Sequence, residues 1–191
     1  KPDFVEAHSN LGNMLQELGR LDEAEASFRQ AIALKPDFAE AHSSLGATLK
    51  ELGRLDEAEA SYTQAIAVKP DYAEFHNNLG VTLQELGRLD DAEASYTRAI
   101  AVKPDYAVAH NNLGATLKEL GRLDEAEASY TQAIALKSDY AEAHSNLGNT
   151  LQELGRLDGA EASYRQAIAL KSDYATAHYN LGSTLQELGR L

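Results

Sequence analysis

The chain has no cysteine among its 191 residues, which excludes disulfides, thiolate metal sites and a cysteine nucleophile. It has no apolar run approaching ~18 residues and no recognisable signal peptide, so no membrane span is expected. Positive charge is scarce: 17 basic residues face 30 acidic ones, for a net charge of −13. A nucleic-acid binder needs clustered basic residues to neutralise phosphates. Here they sit mostly at two fixed corners among acids: Lys35, Lys69, Lys103, Lys137 and Lys171, and Arg20, Arg54, Arg88, Arg122 and Arg156. Nucleic acid and anionic membrane are therefore not expected partners. No glycine-rich phosphate loop and no Ser–His–Asp arrangement interrupts the chain, and no carboxylate pair is singled out as acid and base. Neither an enzyme active site nor a cofactor is expected. An apolar content of 43% still argues for a folded protein.

What the chain does have is a period. Near-identical copies begin at Lys1, Lys35, Lys69, Lys103, Lys137 and Lys171, every 34 residues. The copies span 1–34, 35–68, 69–102, 103–136 and 137–170, with a partial copy over 171–191. A fixed period in this range signals an array of supersecondary units that bury their apolar faces on one another. The chain starts with Lys rather than Met and stops mid-copy, so it reads as a segment of something longer, with localisation left open.

Each copy holds two helical patterns. In the second copy the first runs from about Phe38 to Leu52, with Asp37 and Glu40 as a capping-box-like pair and Gly53 as a left-handed terminator. The second runs from about Asp56 to Val68, with acids in its first turn and Lys69 at its far end. Pro70 then stops it. Pro2, Pro36, Pro70 and Pro104 hold this place, and Ser138 and Ser172 replace them later. At 100° per residue, His42, Leu45, Gly46, Leu49 and Leu52 share one face, as do Leu55, Ala58, Tyr62, Ala65 and Ile66. Gly46 and Ala58 would let the two helices approach closely.

These residues resemble the tetratricopeptide repeat, whose pattern is W-x2-L-G-x2-Y, then A-x3-F, then P. Here it reads His8-x2-Leu11-Gly12-x2-Leu15, Ala24-x3-Phe28 and Pro36, with His in place of Trp and Leu in place of Tyr. The resemblance covers the whole chain. It implies an all-α fold, a right-handed α-solenoid of antiparallel helix pairs with five complete repeats and one extra first helix. It also implies a concave groove, lined by the first helices, that holds a peptide or partner protein. The HSNLG-type segments are similar to the repeats of O-linked N-acetylglucosamine transferase, where an asparagine column grips the peptide backbone. The matching positions are Asn10, Ser44, Asn78, Asn112, Asn146 and Asn180.

Comparison between the copies adds a second stripe. Differences in the first helix concentrate at four positions, spaced 3, 4 and 3 apart, on the face opposite the core. The first holds Glu6, Glu40, Glu74, Val108, Glu142 and Thr176. The second holds Ser9, Ser43, Asn77, Asn111, Ser145 and Tyr179. The third includes Asn13 and Asn149, and the fourth Gln16, Lys50, Gln84, Lys118, Gln152 and Gln186. The stripe reads either as side chains that select a ligand or as surface that drifts freely, and the asparagine column either as ligand-holding or as merely polar. The drift reading sits poorly with Glu51 and its equivalents, which do not vary.

The six histidines, His8, His42, His76, His110, His144 and His178, resemble a metal array only in the sequence. Zinc ligands converge within about 2.3 Å of one point, whereas packed helices stand roughly 8–10 Å apart. A half-buried row at a helix contact is the better reading. A related subgroup clamps acidic chaperone tails with basic groove residues, and this chain offers Glu, Ser and Asn there. Its expected ligand is a neutral or basic peptide or protein segment. The alternatives are the substrate-recruiting arm of a larger enzyme and a self-assembling element, since Leu181, Leu185 and Leu188 of the last helix would be partly uncovered, as would the outer side of the first helix. End-to-end or dimeric association is expected at high concentration.

Overall fold

The computed structural model describes residues 2–191. The described residues form eleven helices and no strand. They divide into two compact units, one ending at Val102 and one from Lys103 to Leu191. The first unit contains α1 (Pro2–Glu17), α2 (Leu21–Leu34), α3 (Ala39–Glu51), α4 (Leu55–Val68), α5 (Ala73–Glu85) and α6 (Leu89–Val102). The second contains α7 (Ala107–Glu119), α8 (Leu123–Leu136), α9 (Ala141–Glu153), α10 (Leu157–Leu170) and α11 (Ala175–Glu187). Within each unit every helix packs on the next, most extensively inside a hairpin. The first helices of adjacent copies also touch, α1 with α3, α3 with α5, α7 with α9 and α9 with α11. This is the α-solenoid arrangement that the period implies.

The hairpin turn follows from one glycine. Gly53 has φ of +74°, a conformation that costs a residue with Cβ. The Gly53 N–H bonds the Lys50 carbonyl and the Arg54 N–H the Leu49 carbonyl, each at 2.9 Å. This paired closure satisfies carbonyls that the helix end leaves free. The second helix then starts at once, with the Arg54 carbonyl accepting from the Ala58 N–H at 3.0 Å. Asp56 and Glu57 fill its first turn, at the positive end of its dipole.

The helix starts differ from the sequence expectation. Asp37 does not cap α3: Phe38 holds that place, and none of α2–α5 or α7–α11 has a side-chain bond at its N-terminus. Asp37 lies one residue too early, inside the turn. Glu40, expected to complete the box, instead pairs with Lys69. The turn is closed by the histidine row. Nε2 of His42 bonds the Pro36 carbonyl at 2.9 Å, His76 does the same to Pro70 at 2.8 Å, and His110 to Pro104 at 3.0 Å. His144 and His178 reach Ser138 and Ser172 at 3.2 and 2.9 Å, so serine preserves the closure. Pro2 likewise departs from its expected role, since α1 begins on it, and proline suits a first helical position.

The core is built from small residues facing rings. Phe28, Tyr62, Tyr96, Tyr130 and Tyr164 are fully buried, beside Ala24, Ala58, Ala92, Ala126 and Ala160. A Cβ on Gly46 would lie 2.9 Å from Cζ of Tyr62, so only glycine allows this approach. Gly182 holds the same place in α11 but would meet nothing within 4 Å. The same substitution should therefore have opposite signs at the two positions. Gly46→Ala should lower stability by about 1–3 kcal/mol, the usual cost of overpacking. Gly182→Ala should raise it by up to about 1 kcal/mol through helix propensity. Urea unfolding followed by circular dichroism reads both, and a loss at Gly182 would contradict this packing account.

Candidate functional site

The first helices place the two polar stripes side by side, but their positions are not equally open. In the second stripe position, Ser9, Asn77, Asn111 and Ser145 are buried and Ser43 is half-buried, while Tyr179 is 78% exposed. These residues were expected on an open face. They are buried because the first helix of an adjacent copy stands along this flank, as α3 does beside α1 and α9 beside α7, which narrows the face opposite the core. Tyr179 lies on α11, which packs against α9 on one flank only. The asparagine column is half-buried at Ser44, Asn78, Asn112, Asn146 and Asn180, and exposed at Asn10.

Several of these amides tie neighbouring helices together. Asn146 Nδ2 donates to Asn111 Oδ1 at 3.2 Å, and Asn180 Nδ2 to Asn149 Oδ1 at 2.8 Å. Asn77 Nδ2 donates to the adjacent Asn78 Oδ1 at 3.4 Å. In the third position Asn149 also accepts from the Tyr164 hydroxyl at 2.8 Å, while Asn13 is exposed. Beneath the column runs a row that the sequence reading passed over, the fully buried Thr48, Thr82, Thr116, Thr150 and Thr184. Each hydroxyl donates to the carbonyl four residues earlier, as Thr48 does to Ser44 at 2.9 Å. Threonine recurs at this position in copies two to six, where Met14 stands in copy one. That regularity was the available signal.

The fourth position forms rungs to the following copy. Gln16 Nε2 donates to Glu51 at 2.5 Å, Lys50 Nζ to Glu85 at 3.0 Å, Lys118 Nζ to Glu153 at 2.7 Å and Gln152 Nε2 to Glu187 at 2.9 Å. Glu51, Glu85, Glu153 and Glu187, which do not differ between copies, accept these bonds. The fourth position holds only Gln or Lys, and both can donate. Gln84 accepts from the Tyr96 hydroxyl at 3.2 Å.

The arginine corner forms a matching set between second helices. Arg54 bonds Glu57 at 2.7 Å and Glu25 of the preceding copy at 2.6 Å. Arg88 bonds Asp91 and Glu59, and Arg190 bonds Asp158 and Glu161. The lysine corner is engaged too: Nζ of Lys103, Lys137 and Lys171 each lies 5.2 Å from the ring centre of the tyrosine three residues on. The corner arginines are thus paired with carboxylates where they stand. No described helix is long and apolar enough to cross a membrane.

In the second unit the stripes meet in an open polar depression of about 440 Å³, lined by Lys118, Asn149, Gln152, Glu153, Asn180 and Glu187. Four of these belong to the predicted set, and the two glutamates do not. The lining mixes donors and acceptors from three successive first helices and holds no nucleophile–base pair.

Sequence profiles described as TPR repeat match residues 12–53, 48–87 and 148–189, and others described as tetratricopeptide repeat match 71–139 and 117–163. The chain belongs to the tetratricopeptide repeat family. Solved structures agree with this TPR fold. TTC0263, a thermophilic TPR protein in Thermus thermophilus, is 30% identical, over 95% of this chain and 99% of its own, with a TM-score of 0.72. PilW, a type IV pilus biogenesis factor, is 24% identical, over 97% of this chain and 86% of its own, with a TM-score of 0.87. YrrB, a TPR protein with an unusual peptide-binding site, is 23% identical, over 90% and 89%, with a TM-score of 0.73. A comparison with curated protein sequences finds no match. The TPR fold and these neighbours fit a protein-interaction scaffold and are consistent with a non-enzymatic role.

The TPR core also predicts a pH response. Burial, with a smaller contribution from nearby glutamates, pushes the hydroxyl of Tyr164 up to about 12. Burial does the same at Tyr140. The unfolded chain ionises its tyrosines near 10, so it loses protons at a lower pH than the folded one. Stability from these groups is therefore complete below about pH 10 and is lost as the pH rises towards about 12. Urea midpoints should fall steadily across that window. A flat profile there would contradict the burial of these hydroxyls.

Proposed function

We propose that the first-helix face binds an extended peptide or a segment of a partner protein, and that the chain itself catalyses nothing. The observation that carries this is the polar depression of the second unit, where α7, α9 and α11 present amides, an ammonium and carboxylates together. Asparagine and glutamine amides donate to a carbonyl and accept from an N–H, which matches what an extended backbone offers. The Lys118–Glu153 pair neutralises itself, and Glu187 leaves one carboxylate in excess. A neutral or basic ligand suits that balance better than an acidic one. The peptide-binding site described for YrrB, which shares the fold, supports the reading.

The asparagine column, matched to that of O-linked N-acetylglucosamine transferase repeats, takes part at Asn180, whose bond to Asn149 of the third stripe position a ligand would replace. A substrate-recruiting arm of a larger enzyme would use the same face. Self-association would instead use the exposed Phe4, Leu11 and Met14 of α1 and Leu18 just after it.

Fluorescence anisotropy with labelled neutral, basic and acidic peptide pools tests the reading. The chain should retain neutral or basic peptides. Asn149→Ala with Asn180→Ala should weaken binding about three- to tenfold for each hydrogen bond lost, with an unchanged circular dichroism spectrum. Equal binding by the variant, or a preference for acidic peptides, would place the site elsewhere.

A further inference from the structure

The copies alternate in a way that the 34-residue period hides. Copies two and four carry Ala47 with Lys50 and Ala115 with Lys118, whereas copies three and five carry Val81 with Gln84 and Asn149 with Gln152. These are the third and fourth stripe positions, and they decide what happens to the buried tyrosine of each hairpin. That ring passes the first-helix glycine, so its hydroxyl emerges between the two stripe positions. In copy five the Tyr164 hydroxyl meets Asn149 at 2.8 Å and Gln152 at 3.1 Å, and in copy three the Tyr96 hydroxyl meets Gln84 at 3.2 Å. Alanine offers no acceptor, and the lysine ammonium has donors only. The hydroxyls of Tyr62 and Tyr130 accordingly have no hydrogen-bond partner among the described residues. Among the described residues no fully buried side-chain polar atom lacks a partner. These two oxygens therefore reach the surface, although their rings are only 1% exposed against 0% for Tyr96 and Tyr164.

We infer that Tyr62 with Lys50 and Glu85, and Tyr130 with Lys118 and Glu153, form one subsite in each unit for a neutral carboxamide of the bound ligand. The inference rests on the first-helix face being the binding face. The hydroxyl and the two free ammonium protons donate to the amide oxygen. The carboxylate accepts from the amide N–H while keeping its own bond to the lysine, at 3.0 Å for Glu85 and 2.7 Å for Glu153. An anionic group is disfavoured, because Glu51 and Glu85 act on the Tyr62 hydroxyl, and Glu142, Glu119 and Glu153 on that of Tyr130. Copies three and five fill the same place with their own amide, which shows the geometry that the ligand group would take. The donor and acceptor are supplied either by the N–H and C=O of one extended backbone residue, which point to the same side, or by the primary amide of an Asn or Gln side chain.

The test uses the full chain labelled with ¹³C at the tyrosine Cζ, titrated with capped pentaglycine amide, with the same peptide carrying a central Gln, and with acetate. Tyr62 and Tyr130 should shift saturably with the peptides and not with acetate, while Tyr96 and Tyr164 stay still. Tighter binding of the Gln peptide assigns the side chain, and equal binding the backbone. Tyr62→Phe with Tyr130→Phe should weaken binding about three- to tenfold. The fold already holds Phe28 at this place in the first copy. Ala115→Asn with Lys118→Gln should silence Tyr130, and Asn149→Ala with Gln152→Lys should make Tyr164 respond. A role in packing alone would not transfer the response between rings. Binding that is unaffected by Tyr→Phe overturns the subsite and leaves the binding face standing. Absence of peptide binding overturns both, and a response to acetate overturns the neutral class.

Discussion

The contact between a first-helix glycine and a second-helix aromatic ring sets the dimensions of every hairpin. With Gly46 against the face of Tyr62, the two helices come together closely enough to bury Ala58 and Leu49 completely. A larger residue in either role would open the hairpin and expose the alanines that line it. The same contact determines where polar chemistry is possible. Because the ring passes through the hairpin, its far end reaches the first-helix face that carries the polar stripes. Interior packing and a surface hydroxyl thus belong to one side chain.

Much of this was legible in the residues themselves. Gly53 announces the left-handed turn, and the spacing of Leu45, Gly46 and Leu49 announces the buried face, because both depend on local geometry that one copy contains. The faults arose where one helix was considered alone. Asp37 has a capping residue's chemistry, but the turn places it one position early and the His42 ring closes the turn instead. Asn77, Asn111 and Ser145 point away from the hairpin core, yet they are buried by the neighbouring copy. The fourth-position residues also form rungs, which their variation between copies does not reveal. Their constant partners at Glu51, Glu85, Glu153 and Glu187 lie in the next copy, beyond the reach of a single-helix projection.

Polar bonds thus carry much of the connection from copy to copy. Within each unit, arginine corners link second helices and Gln or Lys rungs link first helices, so one hairpin is held to the next along both edges. Exposed ion pairs contribute little individually. Their regular placement instead favours one register between neighbours, because a slipped hairpin would leave its arginine and its rung glutamate without partners. Apolar burial drives the stacking, and the bonds choose among stacked arrangements.

Each of these links spans one junction only. Removing residues 35–68 as a block would bring Arg88 opposite Glu25 in place of Glu59, and Gln16 opposite Glu85 in place of Glu51, with every donor again facing an acceptor of the same type. Whole copies are therefore interchangeable parts. A gene encoding such an array could lengthen or shorten by unequal exchange between copies, and the product would still fold, because no bond records how many copies there are.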